Sequence, residues 1–192
     1  MLSAVLSCAL SAQAQSRPDT GPESGSHEFA VWTGGGYTVR GVVTDTAVWN
    51  AGARYGWVLS DLHGPGLLRG RLEYAVDAIP VFVVLDPMQT AYGVGVDPVV
   101  LRWNFQQRRH VAPYFELSAG MLFTNQEVPS GTSIVNFTPS AEIGISVPRG
   151  RFRWSGGLHF LHISNSDLAN YNPGVNVLQL RIGFGLFRKH AP

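Results

Sequence analysis

Trp49-Asn50-Ala51-Gly52-Ala53-Arg54-Tyr55-Gly56-Trp57 alternates without a break: every odd position is apolar, every even one small or polar. Successive side chains of an extended strand point to opposite faces, so this stretch predicts a strand with one greasy and one polar side. The same period of two returns along the chain. Leu72, Tyr74, Val76 and Ala78 are set against Arg71, Glu73 and Asp77, and Val99, Leu101 and Trp103 against Arg102 and Asn104. Phe115 to Phe123, Val135 to Val147, Phe152 to Phe160 and Leu178 to Leu186 repeat the pattern. With a vaguer segment near His27 to Gly35, the count is eight.

A soluble sandwich also alternates, so the surroundings of the strands decide. Only 14% of residues are charged, aromatics make up 11%, and glycine occurs 22 times. Trp and Tyr lie near strand ends, as in the interfacial girdles of a lipid-facing band. Arg54, Arg69, Arg71, Arg102, Arg153 and Arg181 alternate with the greasy side, and Glu73, Asp77, Glu116 and Glu142 are available to pair with them. Such charges suit a closed interior filled by side chains. No stretch after the N-terminus approaches the roughly 18 apolar residues of a membrane helix. The expected fold is therefore an all-β, eight-stranded antiparallel up-and-down transmembrane β-barrel over residues 27–192.

Residues 1–14 read as a signal peptide, apolar or small through Ser11 with Ala12-Gln13-Ala14 as the cleavage pattern, though without a positive n-region. Residues 15–26 read as a flexible leader. The single cysteine, Cys8, lies in the signal segment, so the exported chain would carry no disulfide; Val5-Leu6-Ser7-Cys8 also loosely resembles a lipobox, with too short an apolar stretch before it. Short turns are expected at 62–66, 107–110 and 148–150 on the periplasmic side. Longer loops are expected at 86–92, 124–133 and 165–174 on the outer side. Pro139, inside a strand, should mark a bulge. A net charge of +1 gives no reason to expect nucleic acid as a partner.

Chemistry gathers at the seventh and eighth segments. In Gly157-Leu158-His159-Phe160-Leu161-His162-Ile163-Ser164-Asn165, parity puts His162 and Ser164 on the lipid side with Phe160 and Leu158, and turns His159 inward. Asn176 falls on the lipid side of the next segment with Leu178 and Leu180. Polar side chains among headgroups cost little, so an inert barrel end would also carry them. No Gly-x-Ser-x-Gly elbow is present. The alternative is a serine hydrolase with His162 as base and Ser164 as nucleophile. No His-Glu-x-x-His, cysteine pair or phosphate loop occurs, so no metal or cofactor is expected.

His162-Ile163-Ser164-Asn165 with Asn172-x-Gly174-x-Asn176 resembles the signature of the PagL-type lipid A 3-O-deacylases, or acyloxyacyl hydrolases. The resemblance extends to Gly70-Arg71-Leu72-Glu73-Tyr74 and Leu101-Arg102-Trp103-Asn104-Phe105. It implies an eight-stranded barrel of the cell outer membrane, with lipid A of lipopolysaccharide as substrate and an esterase reaction at its 3-O acyl chain. Carried across, it makes His162 the base and Ser164 the nucleophile, with Asn165 and Asn172 as oxyanion candidates. Asn176 stands where the family has its catalytic acid. Asp167 could supply a charge from the loop. The competing readings are a non-catalytic barrel serving as anchor, adhesin or lipid-binding module, and a soluble lipocalin-like carrier.

Overall fold

The computed structural model describes residues 22–39, 43, 45–169 and 171–188; the expected signal peptide lies outside them. Nine strands form among the described residues: β1 (His27–Thr38), β2 (Ala47–Val58), β3 (Gly70–Leu85), β4 (Thr90–Phe105), β5 (Ala112–Thr124), β6 (Val135–Phe137), β7 (Ser140–Arg149), β8 (Phe152–Ile163) and β9 (Val175–Arg188). Each pairs antiparallel with its neighbours, and β1 pairs with β9, so the sheet closes on itself. β6 and β7 are two halves of one barrel strand, which makes the barrel eight-stranded; β8 and β9 are its seventh and eighth strands. Closure leaves no unpaired edge.

Pro139 interrupts a strand but does not insert a bulge. Ser118 pairs with Ser140 and Met121 with Phe137, so the register is the same on both sides of the break. A proline has no N–H for the ladder, and the pairing lapses there for two residues. True bulges occur at Pro80 and Pro98. Between Ile79 and Phe82, β3 carries one residue more than β4, and between Val96 and Val99, β4 carries one more than β5. Each bulge reverses the parity: Val76 and Ala78 share the outer face with Val81 and Val83, and Val99 and Leu101 share it with Tyr92 and Val94. The strands therefore run well past the segments read from alternation. The expected loop at 86–92 shrinks to four residues between Leu85 and Thr90, whereas the β2–β3 connection, expected to be a short turn, spans 59–69 and includes a 3₁₀ turn, Gly66–Leu68.

The outer surface is an apolar belt that includes Phe29, Val31, Leu117, Ile143, Trp154, Leu180 and Ile182, all exposed. The interior has two layers. Toward the end where β8 finishes and β9 begins (the site end), Ile79, Phe82, Val84, Leu122, Leu161, Ile163, Val175 and Val177 form a dry plug. Toward the end where β1 begins and β9 finishes (the terminal end), the filling is ionic. Arg54 grips Asp77 through two bonds, 2.7 and 2.8 Å, and Glu116 through two more, 2.6 and 2.8 Å. Glu116 also takes Arg102 at 2.6 Å and lies 3.5 Å from Arg181. Arg153 pairs with Glu28 and Glu73, and Tyr114 donates to Glu142. Arg69, by contrast, is exposed, and Arg71 only half-buried. Buried charges persist only when paired, and each charge of this network has an opposite charge within 3.5 Å.

Candidate active site

The dyad read from the sequence sits at the last turn-out of β8. His162 and Asn176 are register partners across β8 and β9, and Nδ1 of His162 lies 2.7 Å from Oδ1 of Asn176. An amide oxygen can only accept, so Nδ1 carries the proton and Nε2 presents its lone pair. Their strand neighbours Leu161, Ile163, Val175 and Val177 point the other way into the dry plug. His162 and Asn176 therefore stand on packed strands rather than on a loop, which is what holding a reactive geometry requires.

The interruption at Pro139 lies directly across from the dyad. The amide of His162 donates to the carbonyl of Pro139 at 3.0 Å. Ser164, one residue beyond β8, exchanges two backbone bonds with Phe137, donating at 3.1 Å and accepting at 2.7 Å. The two halves of the broken strand thus fix the backbones of His162 and Ser164 separately. Ser164 is nearly covered, and His162 is half-buried.

The connection from Ser164 back to β9 is braced by its asparagines. Asn165 is buried and works as a staple: its amide N–H donates to Oδ1 of Asn172 at 3.2 Å, and its Nδ2 to the carbonyl of Tyr171 at 3.0 Å. Its carbonyl accepts from Leu168 at 3.0 Å, closing a turn whose central residues, Ser166 and Asp167, both have positive φ (49° and 62°). A non-glycine residue in that region costs on the order of 1 kcal/mol, so the staple holds a strained turn immediately after Ser164. Nδ2 of Asn172 lies 3.3 Å from Oδ1 of Asp167. Asp167 thus contacts Asn172, two positions before Gly174 in the same connection.

Gly174 is the residue whose role the sequence did not reveal. Its φ is +63°, and a Cβ placed on it would lie 2.8 Å from Cε1 of His162, 3.5 Å from Nε2 and 3.7 Å from Nδ1. Those distances put the glycine against the Cε1–H edge of the imidazole. The ring is therefore held on one side by Asn176 and bounded on the other by the glycine backbone. His159 faces inward, as parity predicts: it is buried, 3.3 Å from Glu142, and its Nε2 lies 3.2 Å from Nη2 of Arg181.

The barrel resembles solved outer-membrane proteins. The outer membrane enzyme PagL shares 18% identity over 80% of this chain and 97% of its own, with a TM-score of 0.62. OprG from Pseudomonas aeruginosa shares 11%, covering 89% and 99%, with a TM-score of 0.58. Neisserial surface protein A shares 13%, covering 85% and 97%, with a TM-score of 0.52. At such identities the likeness establishes the fold and nothing finer. A search of curated protein sequences finds no match. The family description "Lipid A 3-O-deacylase (PagL)" matches residues 49–185, which take in most of β2, all of β3 to β8 and most of β9, with every candidate site residue. The chain belongs to the lipid A 3-O-deacylase (PagL) family.

Proposed function

We propose that the chain is a serine esterase of the outer membrane that removes the ester-linked acyl chain at position 3 of lipid A. In this reading the export signal is residues 1–14, and the terminal end of the barrel faces the periplasm. The observation that carries it is the bond between Nδ1 of His162 and Asn176, made on the lipid-facing side two residues from Ser164. That bond fixes the tautomer a general base needs. A substrate ester held at headgroup depth would meet the site from the membrane, with its acyl chain along the apolar belt.

In the reaction, Nε2 of His162 takes the proton of Ser164 Oγ as that oxygen attacks the ester carbonyl. The tetrahedral intermediate collapses when the imidazolium returns the proton to the sugar oxygen, which leaves with its C–O bond broken. Water, deprotonated by the same nitrogen, then releases the fatty acid from Ser164. Of the two oxyanion candidates, Asn172 fits better. Each amide nitrogen makes one bond and keeps a second N–H, but the side chain of Asn165 is buried whereas Asn172 is half-buried.

Asn176 cannot supply the negative charge that stabilises an imidazolium, which favours slow turnover and keeps a second reading in play. In that reading the barrel is a non-catalytic anchor, adhesin or lipid-binding module. Mass spectra of lipid A from cells with and without the protein separate the two: loss of one ester-linked hydroxy acyl chain supports the esterase, and identical spectra support the inert barrel.

A further inference from the structure

The described connections at the two ends of the barrel differ in charge. Among the described residues, the connections at the site end hold Asp45, Asp86, Glu127 and Asp167 and no Arg or Lys. The terminal end is rich in arginine on one side. Arg108 and Arg109 lie in the β4–β5 turn, Arg149 ends β7 and Arg151 lies in the two-residue β7–β8 turn, and Arg188 ends β9; all five are exposed. These three tips are neighbours around the rim. β5 pairs with β7 from Ala112–Ser146 onward, β8 pairs with β9 at Phe152–Leu186, and the amide of Phe187 donates to the carbonyl of Arg151 at 2.7 Å. No Asp or Glu occurs in 106–111, 147–153 or 186–188.

The arc also stands at a definite depth. The Arg151 guanidinium lies 5.6 Å over the ring of Phe152, which stacks on Phe184, which in turn packs against Trp154. That aromatic row is the lower girdle of the apolar belt, so the arginines begin where lipid tails end and phosphates lie. Beside them, a surface groove is lined by the apolar Leu67, Phe105 and Pro113 together with Gln106 and Arg108. A planar guanidinium binds phosphate through two parallel N–H bonds.

We propose that this arc binds anionic phospholipids of the leaflet at the terminal end, with Arg108, Arg109, Arg149, Arg151 and Arg188 on headgroup phosphates and one acyl chain against Leu67, Phe105 and Pro113. The proposal depends on the barrel spanning a membrane and is independent of any activity at Ser164. An arc of cations without a carboxylate would repel itself in isolation; a row of phosphates relieves that repulsion and orients the barrel in the bilayer.

The test refolds the full chain into vesicles of phosphatidylcholine with a minor fraction of phosphatidylglycerol, extracts it in mild detergent, and quantifies the lipid that co-purifies. Phosphatidylglycerol should be enriched over its bulk fraction by about fivefold for each arginine engaged by one lipid. The enrichment should fall as salt is raised, because the rim is exposed. A variant combining Arg108→Gln, Arg109→Gln, Arg149→Gln and Arg151→Gln should retain the two lipids at the bulk ratio. A bulk ratio in the wild type overturns the proposal, as does an enrichment indifferent to salt. If the fourfold variant does not fold, the salt titration of the wild type alone decides. Co-sedimentation with peptidoglycan sacculi without lipid enrichment would also overturn it, reassigning the arc to the cell wall.

Discussion

Asn176 holds His162 by an amide oxygen at 2.7 Å, in the position where the family resemblance puts a carboxylate. The orienting bond to the imidazole is present and the charge is missing. An amide orients the imidazole but leaves the imidazolium formed during turnover without a counter-charge. In a serine triad the equivalent exchange lowers turnover by about 10⁴.

Asn176→Glu should therefore accelerate lipid A deacylation, by up to about 10⁴-fold if charge is the main deficit. Turnover numbers of the two proteins in the same detergent measure it. An unchanged or lower rate in a folded Asn176→Glu protein would mean that the amide is suited to this site.

Gly174→Ala should push on the Cε1 edge of His162, since the new methyl would start 2.8 Å from that atom. A displacement of even about 1 Å can cost on the order of 10² in rate. The fall should appear in kcat rather than KM. Gly150→Ala is the control: its φ of +62° imposes the same backbone strain, but nothing lies within 4 Å of its Cβ. Equal losses in the two variants would assign the effect to the backbone and remove Gly174 from the site.

Asn172→Ala should lower turnover by about 10²–10³ if its amide meets the developing oxyanion. Asn165→Ala should act differently, because its side chain ties the loop to Tyr171 at 3.0 Å and is buried. Proteolysis within 164–174 is expected to speed up more for Asn165→Ala than for Asn172→Ala, which gives up only the acceptor of the Asn165 amide and the more exposed contact with Asp167. Reversal of the two phenotypes would exchange their roles.

Glu116→Gln should destabilise the barrel by about 3–5 kcal/mol, because three buried guanidiniums, those of Arg54, Arg102 and Arg181, depend on that carboxylate. Urea unfolding in vesicles reads the loss, and a change below about 1 kcal/mol would show that the remaining acids compensate. The variant lies in the ionic layer, apart from the dry plug under the site, so the folded fraction should keep its activity.

Much of this architecture was legible in the sequence because a closed barrel with lipid outside and ion pairs inside writes its two faces as a strict alternation. Trp49 to Trp57 is the clearest case, and the parity that put His162 and Asn176 on one face survives in the pairing of β8 with β9, whereas Ser164 lies one residue beyond β8. The site-end halves of β3 and β4 were not legible in this way. There, the bulges at Pro80 and Pro98 reverse the parity, and Phe82 and Val84 fill an apolar plug where a polar interior was expected. Glu28 and Asp97 were missed as interior acids for related reasons: one lies in a segment without clear alternation, the other beside a bulge. The contact of Gly174 with the imidazole depends on a loop conformation that no local pattern records. The same is true of Asp167, whose carboxylate reaches Asn172.

The most direct test of the central claim is mass spectrometry of lipid A incubated with purified protein, wild type beside Ser164→Ala. The account predicts loss of the 3-O acyl chain, with the free hydroxy fatty acid recovered, in the wild type only. Equal release by both proteins, or intact lipid A with wild type and with Asn176→Glu alike, would contradict it.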